Sequence, residues 1–439
     1  MRIPSGGRRN FRRLFVRSLA PVLLLPTVLS VLLVQSPPAG ANSGFTPGDV
    51  VIYRVGTGGT LSSASAAVSL AEYSPTGTLV QSVALPTSSS GSSNALTAGG
   101  SASSEGLLSL SADSRYLLAT GYDTSVGTAN VTSTPAATVP RTVARVDASD
   151  NVDTSTALTN FADGNNPRSV VSTDGTQIWL GGAAGGVEYT TLGATTATSL
   201  NSSDKNVRQV SIFDNQLYTS ADPTKQSLTI ATVGSGLPTT PTQTISNLSF
   251  SQSPSEPYAY VMMTLGSGPG PDTMYVADNA TNSLERYDLV GATWTASGTT
   301  TIANVTGVTG VDNGGTVTLY ATESGSNGTS GKLFKVVDNS GVGGTLTAGA
   351  TTLVSAPSGE AFRGVAFAPG TNLGPGGGNG GTAPTIVAAH SGLPAALGDP
   401  TNTTMDITVG DANFSPTALT VTATSSNQSV APNSGITVT

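Results

Sequence analysis

From Asp49 to Pro369 the apolar positions fall in short runs rich in Val, Ile, Leu, Thr and Tyr, separated by Gly, Pro, Asn, Asp and Ser, and none recurs at helical spacing. The pattern predicts an all-β chain in which one phrase repeats: strand, turn, strand, gap and a more polar strand. Residues 106–122 (GLLSLSADSRYLLATGY) supply two strands around Ala112-Asp113-Ser114, and 142–158 supply two more around Ala148-Ser149-Asp150-Asn151. The next unit, 168–200, turns first at Thr173-Asp174-Gly175-Thr176, and further units run over 207–245, 257–302 and 307–354.

Two fragments flank these units. The run 362–369 (FRGVAFAP) matches the first strand of a unit but has no others behind it, whereas 49–56, 67–74 and 78–85 are three strands without a first, the last pair turned by Pro75-Thr76-Gly77. Together they make one full unit. Repeats of about 40 to 50 residues, each an antiparallel four-stranded sheet, are the sequence signature of a β-propeller. Five internal units and the composite one predict six blades over 45–369, closed by strands from both ends so that no sheet edge is left open. Seven blades follow if 88–104 or the long fourth unit holds further strands.

The phrases DTMYVADNATNSLERYDL, RGVAFAP and STDGTQIWLGG resemble blades of secreted bacterial propellers of the NHL, YncE and gluconolactonase-like kind. What the resemblance implies is architecture. Such propellers host binding proteins and enzymes alike, so function must come from a site. Gluconolactonase-like members carry metal-ligating Glu, Asn and Asp residues around the central tunnel, and no residue of this chain matches them one by one.

Both ends of the chain read differently. Arg2, Arg8, Arg9, Arg12, Arg13 and Arg17 precede an apolar stretch over 19–34 and an Ala39-Gly40-Ala41 site, so 1–41 is expected to be a cleavable signal peptide. The apolar stretch is shorter than the roughly 20 residues of a membrane-spanning helix, which disfavours the alternative of an uncleaved anchor. Arg8-Arg9-Asn10-Phe11-Arg12-Arg13 also resembles a twin-arginine signal, with Arg12 where that motif prefers an apolar residue, so export through the general or the twin-arginine route stays open. At the other end, 370–382 is a glycine-rich linker. Residues 383–439, with strand alternation at 406–409 and 418–423, resemble the opening of an immunoglobulin-like or cadherin-like repeat, a β-sandwich that takes about 100 residues. The expectation is a partial, truncated module, with a complete small β appendage as the alternative.

Charge narrows the partners. The signal holds six of the 18 basic residues and none of the 26 acidic ones, so the mature chain carries a net −14. Nucleic acid and anionic membrane both need Lys/Arg surfaces and are disfavoured. Zero cysteines exclude disulfides and thiol chemistry, and one histidine, His390, cannot build a multi-histidine zinc site or a triad within the propeller.

Carboxylates are the remaining route to chemistry: Asp113, Asp147, Asp150, Asp153, Asp174, Asp214, Asp272, Asp278, Glu285, Asp288, Asp312 and Glu360. Many of them sit where hairpins demand Asx residues. The oxygen-rich segment containing Asp278, Asn279 and Asn282 is the candidate calcium site, its alternative being a plain β-turn. Asp399, Asp406 and Asp411 resemble the calcium positions of cadherin-like repeats without completing the motif. No catalytic residue is assigned. The expected function is a secreted or cell-surface, monomeric, non-catalytic propeller that binds an extracellular polymer or a surface protein. The alternatives are a metal-dependent lactonase or hydrolase, for which several of these acids must converge at the tunnel, and the passive amino-terminal part of a larger surface protein.

Overall fold

The structure is a computed structural model that describes residues 44–201, 203–325 and 328–373 and the strands 385–388 and 407–410. The opening strands are β1 (Val50–Val55), β2 (Ser65–Tyr73), β3 (Leu79–Ala84) and the short β4 (Thr97–Gly99). The second group is β5 (Ser109–Leu110), β6 (Tyr116–Tyr122), β7 (Arg141–Asp147) and β8 (Val152–Leu158), and the third β9 (Pro167–Ser172), β10 (Gln177–Gly182), β11 (Val187–Thr191) and β12 (Thr198–Ser199). The fourth is β13 (Val207–Phe213), β14 (Gln216–Ala221), β15 (Ile230–Val233) and β16 (Ile245–Asn247), and the fifth β17 (Pro257–Met263), β18 (Thr273–Asp278), β19 (Ser283–Val290) and β20 (Thr293–Thr301). The sixth is β21 (Val305–Asp312), β22 (Val317–Ser324), β23 (Gly331–Asp338) and β24 (Thr351–Ser355), followed by the lone β25 (Ala361–Phe367).

Each of the third to sixth groups is a separate antiparallel sheet with its strands in chain order. The remaining strands make one nine-stranded sheet containing two four-strand ladders, β25-β1-β2-β3 and β5-β6-β7-β8. The bridge is β4, which pairs with the start of β2 (Ser65↔Gly99) and the end of β6 (Thr97↔Tyr122). This strand lies in the 88–104 stretch. A short helical turn covers Val131–Ser133.

The lone run lies beside the earliest strand. Val50, Val51 and Ile52 of β1 face Phe367, Ala366 and Val365 of β25. The first strands then touch in a cycle, β5 to β9, β13, β17, β21, β25 and back to β5, which is a propeller-like arrangement of sheets. Side chains and backbone stitch that cycle: Ser109 donates to Val170 O, Ser169 to Arg208 O, Ser220 to Tyr258 O, Thr322 to Arg363 O, and the Gly364 amide to Gly106 O at 3.0 Å. Gln209 acts as a piece of backbone, its amide taking both the N–H (2.8 Å) and the C=O (3.3 Å) of Tyr260. The first strands are covered on both faces, and every residue of β9, β13, β17 and β25 is buried. That explains their uninterrupted apolar and hydroxyl runs, since a strand buried on both faces has no reason to alternate.

The closing core joins the two ends of the chain, with Val50, Ile52, Tyr73, Phe362, Val365, Phe367 and Leu373 in one apolar cluster. Leu373 is 4% exposed, so residues 370–373, assigned above to the linker, still belong to the packed body. Further on, β26 (Thr385–Ala388) pairs antiparallel with β27 (Ile407–Gly410), in the region of the predicted alternation. The signal segment, the remainder of the carboxyl-terminal module, His390, Asp399, Asp406 and Asp411 lie outside the described residues.

A Cβ on Gly364 would collide with backbone atoms of Gly106 and Leu108, whereas one on Gly59 meets nothing within 4 Å. Overpacking at Gly364 drives β25 and β5 apart. Gly364→Ala is expected to lower stability by about 1–3 kcal/mol, read by thermal melting, with Gly59→Ala close to wild type.

Candidate functional site

Antiparallel order places the start of every first strand at one end of the ring, together with the turns between second and third strands. That end is the mouth. Five first strands carry a one-residue irregularity there. Ser169 faces Gly181 and Pro167 faces Gly182, so Arg168 is the extra residue of β9, and Thr306 is extra in β21 by the same reading. In β13 Arg208 and Gln209 oppose a single residue, in β17 Tyr258 and Ala259 do, and in β25 Arg363 and Gly364 do. A bulge turns a side chain out of the pleat and re-aims it. Here it lets long cationic side chains leave the strand near the axis.

Each of the three arginines reaches the following ladder. Arg363 pairs with Glu105 (2.9 Å) and donates to the carbonyls of Gly99 (2.6 Å) and Gly100 (3.2 Å). Arg208 pairs with Glu256 and with Asp222 (3.4 Å), its guanidinium 3.7 Å over the Tyr258 ring. Arg168 donates to Asn206 Oδ1 (2.6 Å) and Val207 O (3.0 Å) and has no carboxylate partner among the described residues. Burial, reinforced by the nearby Arg208 charge, pulls its pKa down to about 10.

Glu105 is the hub that joins the Arg363 side of the mouth to Asn166. One oxygen takes Arg363, and the other takes the Tyr122 hydroxyl (2.9 Å) and the Asn166 amide (3.2 Å). Burial and the Glu105 charge raise the Tyr122 hydroxyl well above its ordinary value, so it donates as a neutral phenol. A buried carboxylate with this set of donors is neutralised and held still.

Beside this hub opens a pocket of about 290 Å³ lined by Ser63, Gly99, Ser101, Ala102, Ser103, Ser104, Thr132 and Asn166. Its rim is built from small residues because backbones meet there: a Cβ on Gly100 would stand 2.7 Å from Ser62 O, and one on Gly328 would stand 2.7 Å from Ala102 O. The Gly100 amide also bonds Ala64 O at 2.9 Å. Hydroxyls and an amide therefore face the pocket, with no charged group on its wall.

Comparison with known proteins assigns the chain to no family. No family model matches the chain, and no curated protein does. Solved structures do align: the periplasmic gluconolactonase of Pseudomonas aeruginosa at 12% identity and a TM-score of 0.37, over 73% of this chain and 98% of that one. A candidate 6-phosphogluconolactonase of Bacteroides fragilis aligns at 13% identity and 0.42 over 72% and 83%, and the hydrazine synthase of Kuenenia stuttgartiensis at 11% and 0.35 over 57% and 65%. No helix among the described residues is long and apolar enough to cross a membrane.

The acids singled out from sequence serve turns and sheet edges. Asp278 accepts from the amides of Ser255, Glu256, Ala280 and Thr281, Asn282 Oδ1 accepts from the Asn304 amide, and Asn279 donates to Val305 O. Ala280 and Thr281 belong to the turn itself, and Ser255, Glu256, Asn304 and Val305 to neighbouring segments. Asp113, Asp174 and Asp312 sit in first-to-second-strand turns at the end away from the mouth, each holding amides of its own turn. Asp147 does the same beyond β7, whereas Asp150, at φ 62° in that turn, accepts from the Gly44 amide and the Gln81 side chain. Asp272 binds the amides of Leu265 and Gly266, Asp153 pairs with Arg145, Asp288 with Arg286, Glu285 with Tyr287 and Thr281, and Glu360 with Arg54. Among the described residues no three acids or histidines are placed to share a metal. The residues that do converge at the mouth, Glu105, Asn166, Arg168, Arg208 and Arg363, were not singled out. A signal for three of them was present: Arg-x-Val opens the first strand at 168, 208 and 363.

Glu188 on β11 is 4% exposed, and burial alone pushes its carboxyl from an ordinary 4.5 up to about 8. The folded state therefore holds a proton that the unfolded chain releases. Its contribution is complete below pH 4.5 and is lost as pH rises through 8. Glu188→Gln is expected to match wild type in thermal melts near pH 4.5 and to exceed it by several degrees near pH 8.5.

Proposed function

We propose that this chain is a secreted, monomeric, six-bladed β-propeller that binds a hydroxyl-rich extracellular polymer at the mouth of the ring. The blade count takes the nine-stranded sheet as two blades: β4 and the Ser90↔Ser93 bridge occupy 88–104 without building a further ladder, and the long fourth unit is used up by β17 to β20.

One observation carries the binding assignment. Ser63, Ser101, Ser103, Ser104, Thr132 and Asn166 present donors and acceptors around one pocket, while Glu105 behind them is fully engaged by Arg363, Tyr122 and Asn166. Convergent polar groups in a concave site fix the orientation of a ligand. A carboxylate tied to a guanidinium and two further donors supports holding a ligand over abstracting its proton, because a general base must be free to accept one. Recognition by hydrogen bonds without an aromatic wall suits a neutral ligand rich in hydroxyls.

The test is calorimetric titration of the mature chain with a panel of neutral oligosaccharides, beside an assay of δ-gluconolactone hydrolysis with and without calcium. Saturable binding that Ser103→Trp abolishes, with the melting temperature kept, is the expected result. Calcium-dependent lactone hydrolysis, or binding that Ser103→Trp leaves intact, contradicts the assignment.

A further inference from the structure

At the mouth between the third and fourth ladders three buried donor atoms have no acceptor. Arg168 is 8% exposed and Arg208 5%. Both hydrogen bonds of Arg168 leave from Nη1, so the edge formed by Nε and Nη2 is unengaged, and Nε is buried without a partner. Arg208 spends Nη2 on Glu256 and Asp222 and leaves its own Nε in the same condition. Gln226, in the turn between the second and third strands of this ladder, accepts the Asn206 amide through Oε1 (3.2 Å), while its Nε2 is buried without an acceptor. Asn206 lies between the two, bonded to Arg168 through its side chain and to Gln226 through its backbone.

All three orphans are donors. Burying such a group unpaired is costly, more so when it is charged. A site with this much surplus donor capacity suits an acceptor with two oxygens. We propose that the free Nε/Nη2 edge of Arg168, flanked by Arg208 Nε and Gln226 Nε2, is a subsite for the carboxylate of a small organic acid or acidic sugar. The edge of a guanidinium matches a planar carboxylate in a two-bond fork. Asp222 and Glu256 both pair with Arg208, and Arg168 has no ion-pair partner among the described residues. Burial and the neighbouring cation depress the Arg168 pKa, which is the electrostatic condition a bound anion relieves. The subsite stands on its own residues and shares none with the hydroxyl-lined pocket.

Thermal melts of the mature chain in sodium acetate, with ionic strength held constant by sodium chloride, test the assignment. The expected result is a saturable rise of at least about 2 °C over the chloride control, because a ligand that binds only the folded state raises its stability. Gln226→Glu keeps the Oε1 acceptor and supplies an internal carboxylate, so this variant is expected to melt above wild type without acetate and to lose the acetate response. Arg168→Met is expected to lose the response as well, and where it fails to fold the Gln226→Glu comparison decides. No shift in wild type beyond chloride, or an undiminished shift in Gln226→Glu, overturns the subsite. An equal or larger response to inorganic phosphate overturns the assignment to a carboxylate.

Discussion

The pairing of β1 with β25 is the contact on which the rest of the molecule depends. It joins residues about three hundred positions apart and has to compensate the entropy of closing that loop, a cost that grows only as the logarithm of loop length. Compensation comes from a ladder whose strands are buried throughout except at Arg54, set in an apolar cluster that draws on both ends of the chain. With no cysteine available, this ladder does what a disulfide does elsewhere. It also fixes the mouth. Arg363 leaves β25 at the irregularity beside Arg54 and meets Glu105, so the Glu105 hub and the pocket next to it exist only when the ring is closed.

The same economy explains the composition. A ring with few charges cannot rely on surface ion pairs, which contribute little in any case. Its blades are instead tied laterally by Ser109, Ser169, Ser220 and Thr322, whose hydroxyls each reach a carbonyl of the following first strand, and by Gln209 standing in for a stretch of backbone. Buried arginines perform the longer spans. Arg286 shows the pattern away from the mouth: fully buried on β19, it binds Asp338, Ser340 and Gly341 of the next ladder as well as Asp288.

Strand order was legible because first strands covered on both faces write long apolar runs and their turns write Asx and Gly. The segments 207–213, 257–263 and 361–367 show this directly, as does Asp150 in the αL region. Asp278 illustrates the limit. Its oxygen-rich neighbourhood suits a cation and a turn equally in one dimension, and the sequence does not show that its carboxylate accepts the Ser255 and Glu256 amides before β17 as well as those of Ala280 and Thr281 in its own turn. The mouth was illegible for a different reason. A bulge breaks the alternation that makes strands readable, so an arginine inside it looks like a solvent-facing residue at a strand end. Glu105 was hidden likewise, because its partners Arg363 and Asn166 are distant in sequence and only closure assembles them.

Closure can be tested with one covalent probe. Val51 and Ala366 are directly opposed on β1 and β25, and the chain has no cysteine of its own. In Val51→Cys/Ala366→Cys, refolding under oxidation is expected to give an intramolecular disulfide in the monomer, seen as faster migration on a non-reducing gel, and a higher melting temperature than the reduced form, since cross-linking so long a loop restricts the unfolded chain. Free thiols after oxidation of the folded monomer, or disulfides formed only between molecules, would contradict the closed ring.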